Sequence, residues 1–299
     1  NYRALRDAGI ASPELEAKLQ LLIPDALDRL YGRQLADGGW SWNSGAPADL
    51  QLSAYVALGL LEAQRAGFTV RADALTTTLG YLEQVILDES LRVPREWTLN
   101  HALTVYVLAE AGRLRPGGAG EALFGAREQL GVTGQAYLAL ALGKIAPEDA
   151  KVTTLLETLR GAAERSATGA RWEEQDSRTW VTDVRATAVT LTALVRLAPE
   201  DPLITDAVRW LLTARRGDRW ATTQETAWSL LALTDYLMVS DALRSDYEWG
   251  VAFNGSALDS GVVAPGAPGA PGAPETLAQT ERWQLALNTV EGGVLVPGQ

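Results

Sequence analysis

The 299-residue chain has no cysteine, one histidine, one methionine and three phenylalanines. Without cysteine there is no disulfide, no thiolate nucleophile and no zinc-thiolate site, and the redox compartment stays open. With His101 as the sole imidazole, the composition argues against a histidine-rich metal site and against a Ser/His triad. No metal and no cofactor is expected. Lysine supplies three of the 26 basic residues, a bias of the source rather than a sign of function. No stretch approaches the roughly 20 apolar residues of a membrane-spanning helix, and no basic, apolar leader opens the sequence, so it reads as soluble. A formal charge of -11 and the lack of a basic, aromatic-interleaved stripe argue against nucleic acid as a partner.

What the chain does have is 47% hydrophobic content and ten tryptophans. From residue 13 to about 239 two kinds of helix alternate. One kind is amphipathic. Ser12 and Pro13 open a helix with Leu15, Leu19, Leu22, Ala26 and Leu30 on one stripe and Pro24 as a candidate kink. Leu75, Leu79, Leu82 and Ile86 make a second stripe, and Leu203, Ala207, Val208, Leu211 and Leu212 a third. The other kind is apolar nearly all round, at 50–61, 99–109, 137–145, 184–197 and 226–238. Such a helix must be covered on every side. Thr222 and Glu225 stand in capping-box spacing before the last of them.

Apolar helices in alternation with amphipathic ones predict an all-α fold, an α/α toroid with about five inner helices beginning near residues 49, 98, 133, 183 and 223 and five outer ones, plus a truncated helix at 2–8. The domain reading is 1–242 for the toroid and 243–299 for a short β segment. There, Tyr247 to Phe253, the turn Asn254-Gly255 and Ala257 to Val263 read as a hairpin, 264–274 (APGAPGAPGAP) as a flexible loop, and 282–288 as a further strand.

Tryptophans collect just before the inner helices: Trp40 and Trp42, Trp97, Trp172 and Trp180, and Trp220. If the inner helices all point one way, these loops share a rim with Asp37, Glu96, Glu173, Glu174, Asp183, Gln224 and Glu225. The candidate recognition rim is Trp40, Trp42, Trp97, His101, Trp180, Asp183, Trp220, Gln224 and Glu225. The same residues also have a plain structural use, as loop packing and as caps for helix N-termini. No catalytic, cofactor or metal residue is assigned, because these carboxylates lack any ligand spacing. His101, early in an apolar helix, reads as a hydrogen-bonded core residue ahead of a chemical one.

Residues 33–42 (RQLADGGWSW), 49–62 (DLQLSAYVALGLLE) and 217–233 (GDRWATTQETAWSLLAL), with the Thr-Gln-Glu-Thr run at 223–226, resemble the thioester domains of the alpha-2-macroglobulin and complement family. The resemblance covers residues 1–240, with 1–10 similar to the segment shortly after the family's thioester sequence. It implies an α/α toroid, a terpenoid cyclase-like ring, inserted into a CUB-type β-sandwich, with 247–299 as part of the returning half. The family's reactive group joins Cys and Gln within a Cys-x-x-Gln sequence, and nothing in this chain matches it. Members that favour transfer to hydroxyls use a toroid histidine, whereas the helix of His101 looks like a different one. The resemblance further implies a non-enzymatic endopeptidase inhibitor of bacterial defence. Its partners are attacking proteases, met through the full-length parent, and the parent's neighbouring domains; its place is the periplasm or cell envelope.

Two other functions fit a ring of this kind. Gln34 to Trp40 (QLADGGW) resembles the aromatic repeat of terpene cyclases, yet the DxDD acid motif of those enzymes and the zinc ligands of prenyltransferases are missing from the sequence. A carbohydrate-binding ring would use Trp40, Trp97, Trp180 and Trp220 as a stacking floor.

Overall fold

The computed structural model describes the backbone of residues 13–91, 98–240, 247–253 and 256–263, and the side chains of 13–87 and 98–240. Ten α-helices lie among them. Five follow the amphipathic or short segments: α1 (Pro13–Tyr31), α3 (Ala72–Leu91), α5 (Ala119–Gly125), α7 (Ala150–Gly161) and α9 (Leu203–Thr213). Five follow the apolar segments: α2 (Leu50–Arg65), α4 (Leu99–Glu110), α6 (Gly131–Ile145), α8 (Asp183–Leu197) and α10 (Thr223–Val239). The helix-dominated class read from periodicity holds, and the inner starts fall within two residues of expectation.

Apolar coverage sets the packing order. The inner helices pack each against the next, α2 on α4, α4 on α6, α6 on α8 and α8 on α10. Outer helices lie across them: α3 on α2 and α4, α5 on α4 and α6, α7 on α6 and α8. On α3 the four stripe residues Leu75, Leu79, Leu82 and Ile86 are all buried, as their helical spacing requires. Helix α6 is covered on every side, with no exposed position from Thr133 to Gly143.

Three expectations are corrected. On α1 Leu15, Leu19 and Leu30 are part-buried on the expected stripe, but Leu22 and Ala26 are exposed and Ile23 and Leu27 take their places. The helix runs through Pro24 unbroken. On α9 Ile204 is buried and Leu212 exposed, since 203, 204, 207 and 211 form the tighter stripe. Helix α10, expected to be covered all round, buries only Glu225, Trp228, Ser229 and Ala232.

A small antiparallel hairpin, β1 (Glu164–Ser166) with β2 (Gly169–Arg171), lies between α7 and α8 and packs on α9. It had no clear sequence signal, being three residues a side. Separately, β3 (Tyr247–Phe253) pairs antiparallel with β4 (Ser256–Val263), with a register irregularity between Val251 and Ala252. This is the hairpin the sequence predicts, and its turn at 254–255 lies outside the described residues, as do Trp97, Glu96, the expected helix at 2–8, the 264–274 run and the strand at 282–288.

Candidate functional site

The inner helices have a common direction, which their C-terminal ends reveal. Arg65, at the end of α2, forms an ion pair with Glu110 at the end of α4, and Glu110 also meets Arg196 at the end of α8 at 3.4 Å. Arg196 bonds in turn to Asp235 on α10 at 2.8 Å. Cations here face the negative ends of the helix dipoles. The opposite ends, the N-termini, therefore gather at the other rim, where each offers unpaired N–H groups.

Side chains satisfy all five. Asp49 accepts from Leu52 N at 2.7 Å and caps α2. His101 Nδ1 accepts from Thr98 N at 3.2 Å and lies 2.9 Å from Thr98 Oγ1, so the imidazole takes the place of the Glu or Gln of a capping box at the start of α4. Glu174, from the loop before α8, reaches across to α6 and accepts from both Thr133 N and Thr133 Oγ1 at 2.7 Å. Thr182 caps α8 by accepting from Arg185 N at 3.3 Å. Thr222 and Glu225 close the capping box of α10, at 3.1 Å in each direction. Glu225 then accepts from Thr182 Oγ1 at 2.7 Å, which joins two neighbouring caps through one carboxylate. Asp183 Oδ1 accepts from Glu174 N at 3.1 Å and holds that residue in place. Gly131 stands at φ 65, and a Cβ there would collide with the Glu174 carboxylate.

Three tryptophans repeat one device. Trp40 donates from its backbone N to Ser53 Oγ at 2.8 Å and from Nε1 to Leu30 O at 3.0 Å. Trp172 donates to Thr187 Oγ1 at 3.0 Å and to Leu159 O at 2.6 Å. Trp220 donates to Thr226 Oγ1 at 3.1 Å and to Leu211 O at 2.9 Å. Each buried indole thus ties the last turns of an outer helix, α1, α7 or α9, to the first turns of the inner helix after it, α2, α8 or α10. Their ring faces are spent on packing.

Trp42 and Trp180 differ. They are 56% and 40% exposed, and their rings meet edge to face at 4.9 Å. Trp180 has φ 53, a left-handed backbone that β-carbon sterics disfavour. At the starts of α4 and α6 a polar cavity of about 640 Å³ is lined by Thr98, Asn100, Gln129, Glu174, Asp176 and Arg178.

Beneath the rim lies Arg185, which sequence reasoning missed. It is 1% exposed and donates to Thr179 O at 2.8 Å, Gln224 Oε1 at 3.1 Å and the Tyr137 hydroxyl at 3.2 Å, with its guanidinium 5.6 Å over the Trp228 ring. Among the described residues no carboxylate lies within ion-pairing distance of it. Its charge is carried by carbonyl and aromatic neighbours, the arrangement by which a buried cation avoids an isolated desolvation cost. Gln51 donates to the same Thr179 carbonyl at 2.8 Å and brings α2 into the cluster. Burial pushes the Tyr137 hydroxyl up to about 12, against the opposing effect of Arg185, and burial raises Tyr55 likewise. An Arg in the first turn of a helix that then runs without a charge from Ala186 to Val195 was the available signal. Among the described residues the rim is thus a set of mutually capped helix starts with an exposed indole pair and a polar cavity.

No protein-family model matches the chain, and a search by sequence among curated proteins finds no match. Solved structures do match in fold. The native conformation of alpha-2-macroglobulin from E. coli is similar over 87% of this chain at 20% identity, with a TM-score of 0.61. Salmonella alpha-2-macroglobulin reacted with methylamine is similar over 87% at 19% identity, with a TM-score of 0.64. In both cases the chain spans 16% of the matched chain. A C-terminal portion of the E. coli protein gives 88% coverage of this chain, 42% of its own, 18% identity and a TM-score of 0.59. What these share with the present chain is a fold.

Proposed function

We propose that this chain is the helical, thioester-type segment of a bacterial protease trap of the alpha-2-macroglobulin kind, and that it acts as a rigid ring within a longer polypeptide. The single observation that carries the reading is the common fold over 87% of the chain with bacterial alpha-2-macroglobulins, one of them described as activated by porcine elastase. The closed toroid, the division into 1–242 and 243–299 and the CUB-like character of the β segment belong to the same proposal. So does a place in the periplasm or cell envelope, which accords with no described helix being long and apolar enough to cross a membrane.

The chain contributes no inhibitory chemistry of its own, since a thioester of the Cys-x-x-Gln type needs a cysteine and there is none here. Its part is mechanical: the caps and tryptophan ties described above hold the rim stiff. A carbohydrate-binding ring is disfavoured because Trp40 and Trp220 are buried and hydrogen-bonded and offer no stacking face.

The test uses the full-length gene product with trypsin or elastase. Trapping requires that cleavage of a large protein substrate is blocked while hydrolysis of a small chromogenic peptide continues. If both substrates are cleaved at the uninhibited rate with the full-length product at stoichiometric excess, the reading fails.

A further inference from the structure

Charged side chains also gather at the C-terminal ends of the inner helices, opposite the capped rim. A cavity of about 440 Å³ opens there, lined by Arg65 at the end of α2, Glu110 at the end of α4, Lys144 on α6 and Arg196 on α8, over Leu140 and Leu197. Its charged lining is three cations and one carboxylate, in a chain whose formal charge is -11. Two of the cations are fixed from behind. Arg65 pairs with Glu110 through Nη2 and with Glu62 through Nη1, the latter at 2.7 Å. Arg196 donates from Nε to Asp235 at 2.8 Å, and from Nη1 to the Tyr106 hydroxyl at 3.3 Å and to Glu110 at 3.4 Å. The Glu110 side chain is 6% exposed and is committed to both arginines. Glu62 and Asp235 orient the guanidinium groups from outside the lining.

Three N–H donors remain. Among the described residues Arg65 Nε and Arg196 Nη2 have no partner, and neither atom is buried. Lys144 is exposed, and its side chain makes no hydrogen bond or ion pair among those residues. Cations suit helix C-termini in general, yet three of the end carbonyls here already have partners. Glu110 O accepts from Arg65 Nη2 at 3.1 Å, and Leu142 O and Leu194 O accept from Ala146 N and Ala198 N at 2.8 Å each. None of these bonds uses Lys144 Nζ or Arg196 Nη2.

We propose that this cavity binds a dianionic phosphate group through Arg65 Nε, Arg196 Nη2 and Lys144 Nζ, each donating to a terminal oxygen, with Leu140 and Leu197 beneath any organic substituent. Guanidinium and ammonium groups are the side chains that answer phosphate oxygens with charged donors. A dianion also balances the surplus of two positive charges in the lining, which a monoanion would leave half met. Because carboxylates already hold both arginines, the cost of ordering on binding falls mainly on Lys144. The inference rests on this cavity alone and stands apart from the protease-trap reading.

Isothermal titration calorimetry of the 299-residue chain with inorganic phosphate and with phenyl phosphate, at physiological ionic strength, tests it. Both should bind saturably at one site. Tighter binding of phenyl phosphate would assign the site to a phosphate monoester resting on the leucines, and equal binding would assign it to the free ion. Lys144→Met should weaken both by about tenfold or more, the loss of one charged hydrogen bond. It should leave the melting temperature of the unliganded chain unchanged, since Lys144 makes no bond there. Lys18→Met, on α1, should leave both affinities unchanged and serves as the control for general charge. No saturable heat at millimolar concentrations of either ligand would overturn the proposal. So would equal affinity in Lys144→Met and the unaltered chain, which would place the anion elsewhere, or an equal loss in Lys18→Met, which would mean screening of surface charge only. None of these outcomes depends on protease inhibition.

Discussion

The Glu225 carboxylate accepts the Thr182 hydroxyl at 2.7 Å, so a side chain in the first turn of α10 closes the N-cap of α8 as well as its own. Glu225 is 5% exposed, and hydrogen bonds to a charged acceptor each contribute about 1.5–3 kcal/mol. Removing it leaves Thr182 Oγ1 and Thr222 N without their acceptor. Glu225→Ala is expected to lower unfolding free energy by about 3 kcal/mol, and Glu225→Gln, which keeps a capping carbonyl, by about half of that. Urea denaturation at neutral pH checks both, and equal losses for the two variants would show that the bridge does not act through its acceptor atoms.

The repeated tryptophan ties separate from the exposed pair by mutation. Trp172→Phe keeps most of the packing and removes one bond to a buried carbonyl, for an expected loss of about 1–2 kcal/mol, and the equivalent changes at Trp40 and Trp220 should cost a similar amount. Trp42→Phe, at an exposed position, should change stability by less than about 0.5 kcal/mol. A thermal melt series of the four variants would contradict this if Trp42 proved as costly as the buried three.

How much of this the sequence discloses follows from the range of each interaction. Helical periodicity is local, so Leu75, Leu79, Leu82 and Ile86 identified the buried face of α3 without any knowledge of its neighbours. The Thr222 and Glu225 box was equally legible, with both partners three residues apart. By contrast, Glu174 caps α6 from 41 residues away, and Glu225 meets Thr182 across 43. No spacing rule reaches that far, so the acidic residues of the rim could be named but not told apart as caps or as ligands. Arg185 escaped notice because its partners Tyr137, Thr179 and Gln224 come from three segments. The stripe on α1 and the coverage of α10 were misread for one reason: periodicity states which residues are apolar, and only the neighbours decide which are covered.

His101 should behave as a cap. A glutamine in its place completes an ordinary capping box with Thr98, so His101→Gln is expected to be nearly neutral, while His101→Ala should cost about 1 kcal/mol. Circular dichroism melts of the two variants distinguish this from a chemical role, for which the two would be equally damaging to function and alike in stability.

Alkaline pH should act through the buried phenols. Tyr137 is fully buried, and burial pushes its hydroxyl from the ordinary 10.0 up to about 12, with Arg185 pulling the other way. A folded-state value above the unfolded one means that the neutral phenol is favoured in the fold. Its stabilising contribution is therefore complete below pH 10 and is lost as pH rises through about 12. A difference of about 2 units corresponds to about 3 kcal/mol. Unfolding free energy should accordingly fall between pH 10 and 12, and fall less steeply in Tyr137→Phe, with Tyr106, raised in the same way by burial, keeping part of the slope. Below pH 10 the same variant should lose about 1 kcal/mol for the missing bond from Arg185. Urea titrations at stepped pH measure both effects, and a slope above pH 10 that is unchanged by Tyr137→Phe would place the alkaline sensitivity elsewhere.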